Sequence, residues 1–231
     1  MAIAEQTRTF EHELKYLLSA GRAGILRTAL DRRCRPDPEF PTGTVASIYY
    51  DTPNLHSLRE KVDSDYLKTK VRVRWYEGAT GGGRAFAEAK HRIGSRRHKV
   101  RRRTEIRGSW LARQRLTRSD LVTIPQVLRD SDVTLPQPLL PMMVVRYQRS
   151  RYVEPFSGVR ISLDTAIAPG KVNPLFAAPR VARRIPLAVL EVKGPSRRLP
   201  PSLRWLNAFG CRQASFSKYN ACFEAATWVE L

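Results

Sequence analysis

The chain has 231 residues, 42% hydrophobic and 27% charged, which allows a real core and excludes global disorder. Its 41 Lys and Arg against 21 Asp and Glu leave a net charge of +20, so a folded body of this composition repels itself unless an anion is near. Nucleic acid, an anionic membrane surface or a phosphate chain are the expected partners, and an enzyme of neutral metabolites is disfavoured.

The N-terminal stretch MAIAEQTRTFEHELKY lacks the apolar run of a signal peptide. No apolar run approaches the roughly 20 residues that span a bilayer, so a soluble chain is expected. Glu11, Glu13 and Lys15 alternate with His12, Leu14 and Tyr16, the period of a strand. Ser19 to Arg33, with Ile25, Leu26, Ala29 and Leu30, predicts a short amphipathic helix that ends before Pro36. In Lys68 to Tyr76 the even positions are Lys68, Lys70, Arg72 and Arg74, and the odd ones Thr69, Val71, Val73 and Trp75. One face of that strand is cationic and the other apolar. Gly78 to Gly83 reads as a hairpin tip. Phe86 to His91 sets Glu88 and Lys90 opposite Ala87 and Ala89, and Lys99 to Arg107 sets Lys99, Arg101, Arg103, Glu105 and Arg107 opposite Val100, Thr104 and Ile106.

Leu121 to Arg129 and Pro201 to Phe209 are weaker helical stretches. Met142 to Val153 carries Arg146 beside Val144 on one face, with Tyr147 and Arg149 on the other. Gly158 to Asp164 alternates Arg160, Ser162 and Asp164 with Val159, Ile161 and Leu163, and Leu187 to Lys193 alternates Glu191 and Lys193 with Leu190 and Val192. Ser217 to Trp228 predicts a C-terminal helix with Ser at or near its N-cap. No segment is long enough for an interdomain linker, so residues 1–231 are expected to form a single domain. Three cysteines without a CxxC spacing, Cys34, Cys211 and Cys222, point away from a disulfide scaffold or zinc knuckle and fit a reducing cytoplasm.

Each strand alone fits an open sheet or sandwich with its charged face in water. The set is unusual because the polar faces concentrate Arg and Lys, with isolated glutamates among them. If the strands close with these faces inward, the lumen must be wet, because each buried ion costs several kcal/mol and arginine does not lose its proton. Phosphate oxygens match the donor fork of arginine. Carboxylates among such cations make chemical sense as ligands of a magnesium-like metal that also touches the phosphates.

The ordered motifs FEHELKYLL, SIYYDTPNL, KVRVRW, FAEAKHRI, HKVRRRTE, VRYQRSRY, RISLD, LEVKG and SFSKYN, from about Thr9 to Phe223, resemble the VTC domain, the polyphosphate polymerase branch of the CYTH-like triphosphate tunnel metalloenzymes. The resemblance implies an α+β fold: an antiparallel β-barrel forming a closed tunnel with a cationic interior, flanked by a few helices. It implies a metal-dependent phosphotransferase that moves the γ-phosphate of ATP onto a polyphosphate chain. Carried over, Lys15, Arg72, Arg74, Lys90 and Lys218 are expected catalytic residues. Lys99, Arg101, Arg146, Arg160, Lys193 and Ser217 are expected phosphate ligands. Glu191, with Glu13, Glu11 and Glu88 behind it, is expected to hold Mn2+ or Mg2+.

Two other functions stay open on the sequence: a triphosphate hydrolase using water as acceptor, and a polyphosphate binder without turnover. Specific nucleic-acid recognition is not expected, because Trp75 falls on the apolar face and glutamates interrupt the cations. Eukaryotic polymerases of this branch carry a phosphate-sensing domain and membrane partners; the sequence predicts neither here, and a separate membrane partner is left open.

Overall fold

The computed structural model describes residues 12–62, 67–78, 83–93, 96–129, 134–181 and 183–229. Glu11, most of the hairpin tip expected over Gly78 to Gly83, and part of the Arg96 to Arg103 run lie outside the residues so described, in whole or in their side chains. In chain order the elements are β1 (His12–Ser19), α1 (Ala23–Arg33), β2 (Arg35–Pro36), β3 (Thr42–Asp51), α2 (His56–Val62), β4 (Leu67–Glu77), β5 (Arg84–Ile93) and β6 (Arg96–Arg107). Then follow α3 (Gly108–Arg113), α4 (Asp120–Thr123), β7 (Leu140–Val153), β8 (Arg160–Val172), β9 (Leu187–Gly194), β10 (Arg212–Gln213) and α5 (Lys218–Ala226). Short 3-10 turns cover Ala20–Arg22, Ile124–Leu128 and Pro201–Phe209.

The protein is an α+β fold, mostly antiparallel sheet with a few helices. Its hydrogen-bonded strand order runs β10-β1-β9-β8-β7-β3-β4-β5-β6, with β2 on β7. The order has two ends, so hydrogen bonds among the described residues do not close the sheet into a barrel. Among the same residues no helix is long and apolar enough to cross a membrane.

The chain divides into two compact units. The first holds the residues up to Thr42, Arg149–Thr165 and Pro186–Phe216. Its core joins the apolar faces of β1, β8 and β9 to α1 and to the Pro201–Phe209 turn, through Leu14, Leu18, Ile161, Leu163, Leu190 and Val192 against Leu26, Leu30, Leu203 and Leu206. Ala23, Leu26, Ala29 and Leu30 form the buried stripe of α1 at helical spacing, whereas Ile25 is 66% exposed. At 3.6 residues per turn Ile25 falls off the stripe that the other four define.

The second unit holds Gly43–Gln148, Ala166–Ile185 and the residues from Ser217 onward. Here β4 and β5 show the predicted two faces. Val71, Val73 and Trp75 of β4 and Ala85, Ala87 and Ala89 of β5 are all buried. They pack under Leu111 of α3, Leu121 of α4, and Ile124 and Leu128 of the following turn. Each such aliphatic contributes about 1.5–3 kcal/mol by leaving water. The helices thus cover the greasy side of the sheet and leave the cationic side for chemistry.

Asp51 closes β3 and starts α2. Its Oδ1 accepts from the backbone N–H of Thr52 and Ser57, each at 2.8 Å, and its Oδ2 accepts from that of Leu58 at 3.3 Å. Sequence reading gave neither α2 nor α3; both are a turn or two long and carry too few residues for a readable period.

Candidate functional site

Antiparallel register places residues in rows across the polar face of β3, β4, β5 and β6. Directly opposed residues share a face. One row reads Tyr49, Arg72, Glu88 and Arg101, and the next Ser47, Arg74, Phe86 and Arg103. A third row on β4 to β6 is Lys70, Lys90 and Lys99.

Glu88, 3% exposed at its side chain, is the centre of this arrangement. Arg72 donates from Nε at 2.8 Å and from Nη2 at 2.6 Å to Glu88 Oε2. Arg74 Nη1 lies 3.8 Å from the same oxygen, while Lys99 Nζ and Arg101 Nε each lie 3.5 Å from Oε1. Burial alone would push the Glu88 carboxyl up, but Arg72, Arg74 and Lys99 outweigh it and hold it well below the usual carboxylate range. Burial likewise opposes the charge on Arg72, and Glu88 with Tyr49 and Tyr147 more than restores it. Four cations around one carboxylate leave these five side chains at +3, since four minus one is three. A surplus of positive charge of this kind attracts anions.

Two phenols complete the face. Arg72 Nη1 donates to Tyr49 Oη at 3.2 Å, and Arg74 Nη2 to Tyr147 Oη at 3.2 Å. The helix α5 adds its first turn. Ser217 is its N-cap, accepting from the Asn220 N–H at 3.4 Å and from Lys70 Nζ at 2.8 Å. Lys218 Nζ stands 5.0 Å from the centroid of the Tyr147 ring. A lysine in the first turn opposes the helix dipole, so helix stability alone does not account for it.

The first unit carries a second cluster on β1, β8 and β9. Register pairs Glu13 with Lys193, Lys15 with Glu191, Ser162 with Glu191, and Arg160 with Lys193. Lys15 Nζ is 3.1 Å from Glu13 Oε1 and 3.9 Å from Glu191 Oε1, and donates to the Phe216 carbonyl at 3.4 Å. Lys193 Nζ is 3.7 Å from Glu13 Oε2. Beneath them the buried Arg149 grips Asp164 through Nε at 2.6 Å and Nη2 at 2.7 Å, and its Nη2 also donates to Glu191 Oε2 at 3.3 Å.

Of the expected residues, the second unit gathers Arg72, Arg74, Glu88, Lys99 and Arg101, with Lys90 in the neighbouring row and Ser217 and Lys218 at the start of α5. The first unit gathers Lys15, Glu13, Glu191 and Lys193, with Arg160 exposed at the end of β8. Arg146 is in neither cluster: it is 54% exposed and pairs with Glu77. On β7 the buried, polar-facing positions are Tyr147 and Arg149. These two, with Tyr49, Ser47, Lys70 and Asp164, are the members that sequence reasoning left out. The alternation in VRYQRSR contained Tyr147 and Arg149 on one face, which was the available signal.

Glu13 and Glu191 are the carboxylates suited to a divalent metal. They are hard oxygen donors that approach the same lysine nitrogen, and two carboxylates are enough for a cation that takes its other ligands from phosphate and water. Among the described residues no group of three or more His, Cys, Asp or Glu is placed to cage a metal by itself. Glu88 fits the metal role less well, because its oxygens already face four cations.

Comparison with known proteins bears on this arrangement. A candidate adenylate cyclase from Bacillus halodurans superposes with a TM-score of 0.54 at 14% identity, covering 90% of this chain and 93% of that one. That likeness is one of fold. A solved structure described as an inorganic triphosphatase aligns over 82% of each chain at 16% identity, with a TM-score of only 0.30. No curated protein matches the chain in sequence. The model of the family described as the VTC domain matches residues 10–227, nearly the whole length, and the chain belongs to the VTC domain family.

Proposed function

We propose that the chain is a metal-dependent polyphosphate polymerase, which transfers the γ-phosphoryl group of ATP to the end of a polyphosphate chain and releases ADP. The observation that carries this reading is the convergence of Arg72, Arg74, Lys99 and Arg101 on Glu88, in a member of the VTC domain family.

Phosphoryl transfer asks little covalent chemistry of the protein; it asks for in-line positioning and for neutralised charge. In the proposed reaction a terminal phosphate oxygen of the acceptor chain forms a bond to the γ-phosphorus. The bond from that phosphorus to the β–γ bridging oxygen breaks, and that oxygen leaves with its electron pair as part of ADP. No serine or cysteine nucleophile takes part. Arg72 and Arg74 hold equatorial phosphate oxygens, their own orientation fixed by Glu88 and by the Tyr49 and Tyr147 phenols. Lys90, Lys99, Arg101, Lys218 and Ser217 offer further donors to the phosphates within the second unit; Lys15, Arg160 and Lys193 are proposed phosphate ligands of the first unit's own cluster. Glu191 and Glu13, both in the first unit, would hold the divalent metal, which would supply charge neutralisation. Glu88 is assigned to hold the arginines rather than the metal.

Incubation of the purified protein with ATP and Mn2+ tests the reading. A growing ladder of polyphosphate with equimolar ADP is expected. Orthophosphate release from tripolyphosphate without chain growth would make it a hydrolase, and tight polyphosphate binding without turnover would make it a binder. Arg72→Ala and Lys218→Ala are each expected to lower turnover by about 100-fold, as loss of a transition-state donor does, with an unchanged circular dichroism spectrum. Wild-type rates in both variants would remove them from the site.

A further inference from the structure

Arg72 is a long side chain, 24% exposed, that must present its donors in one orientation. Its guanidinium has five N–H groups. Among the described residues two go to Glu88 and one to Tyr49 Oη, and the other two are the ones an anion would meet. The aim of those two depends on the Tyr49 phenol staying where it is.

Tyr49 is held from beyond the polar face. The Tyr219 ring stacks on it with centroids 4.8 Å apart and planes 3° from parallel. Tyr219 is 1% exposed, and its hydroxyl donates to Asp51 Oδ2 at 3.2 Å. Asp51 is fully buried and fixed in turn by the backbone N–H groups of Thr52, Ser57 and Leu58. Tyr49 and Asp51 are two apart on β3, so both face the same way. The contacts form one chain, from the α2 cap through Asp51, Tyr219 and Tyr49 to Arg72. Tyr219 also follows directly on the N-cap Ser217 and on Lys218, the first residue of α5.

We propose that Tyr219, locked by Asp51, is a positioning residue: by stacking on Tyr49 it fixes the phenol that orients Arg72 for phosphate. The inference rests on the phosphate-binding reading of the Arg72 cluster. Mere packing of α5 onto β3 is the competing account, and the two differ in coupling. A residue that acts through Arg72 loses its effect when Arg72 is altered, whereas a packing residue does not.

The test is a double-mutant cycle on the whole chain, read by calorimetric binding of inorganic tripolyphosphate and by the Nε–H resonance of Arg72. Tyr219→Leu is expected to weaken binding about tenfold, within the range for coupled neighbours. In an Arg72→Lys background the same change is expected to shift binding by less than about twofold. The Arg72 Nε–H signal, sharp in the unaltered protein, is expected to broaden or vanish in Tyr219→Leu without any ligand. Equal effects of Tyr219→Leu in both backgrounds, or an unchanged resonance, overturn the proposal. Should Tyr219→Leu not fold, Tyr219→Phe keeps the stack and removes only the bond to Asp51. It must then weaken binding at least about threefold beside Arg72 and not beside Lys at that position, or the proposal fails. If the unaltered chain does not bind tripolyphosphate, the phosphate reading falls and the resonance alone decides the positioning role.

Discussion

Glu88 is a buried carboxylate whose charge the surrounding cations require. Its pKa lies below the ordinary glutamate value of 4.5, because Arg72, Arg74 and Lys99 overcome the burial that would raise it. A depressed folded-state pKa means stability that is fully present above the unfolded value and lost as pH falls through it toward the folded one. Asp51 has the opposite sign: burial outweighs its hydrogen bonds and raises its carboxyl, so acid favours the fold at that residue. A mutant comparison separates the two. Glu88→Gln removes the charge that faces Arg74, 8% exposed, and the Arg72 head. Urea unfolding near neutral pH is expected to show a loss on the order of 3 kcal/mol, as for breaking a buried pair from one side. The gap to the unaltered protein is expected to narrow as pH falls below 4.5. A gap that is the same near pH 7 and in acid would mean that Glu88 is not the ionised centre of the group.

At the scale of elements, the helices hold the site in place by covering the other face of the sheet. Gly108, first residue of α3, lies against Trp75 of β4; an added Cβ would meet the Trp75 Cδ1 at 2.5 Å and its Cβ at 2.6 Å. Trp75 is 1% exposed and on the same strand as Arg72 and Arg74. Gly108→Ala is therefore expected to cost about 1–3 kcal/mol as an overpacking change, measured as a lower midpoint of thermal unfolding, and an unchanged midpoint would mean that α3 can shift freely. Such faces were legible in β4, β5 and β6 because one side is Val, Ala and Trp and the other Lys, Arg and Glu. On β7 they were not, because five successive residues, Pro141 to Val145, are buried and mark neither side as apolar. Arg146 and Arg149 then look alike in sequence, although Arg149 reaches Asp164 and Glu191 and Arg146 reaches Glu77. The phenols of β3 are ambiguous in sequence for a related reason. Tyr49 and Tyr50 are both buried on β3 but face opposite sides, Tyr49 to Arg72 and Tyr50 to the Leu121 carbonyl. Nothing local to the pair says which is which.

For the whole molecule, a net charge of +20 predicts that any salt relieves self-repulsion and that any polyanion binds at low ionic strength. Stabilisation by phosphate chains is evidence for a site only if it exceeds that background. The two effects differ in form. Screening grows with ionic strength whatever the anion, and at about 0.15 M the Debye length is already near 8 Å. A site saturates, and contributes about 2.7 kcal/mol when ligand is a hundredfold above its Kd. Tripolyphosphate in 0.15 M NaCl is therefore expected to raise Tm along a saturating curve, while sulfate at matched ionic strength raises it less. The decisive comparison is the double variant Arg72→Ala with Arg74→Ala. Its net charge is +18, since 20 minus 2 is 18, so a bulk-charge effect would shrink by about one tenth. A seat built on these two arginines would lose nearly the whole shift. A Tm increment in the double variant that stays within a tenth or so of the original would assign tripolyphosphate binding to diffuse surface charge instead of the Glu88 cluster.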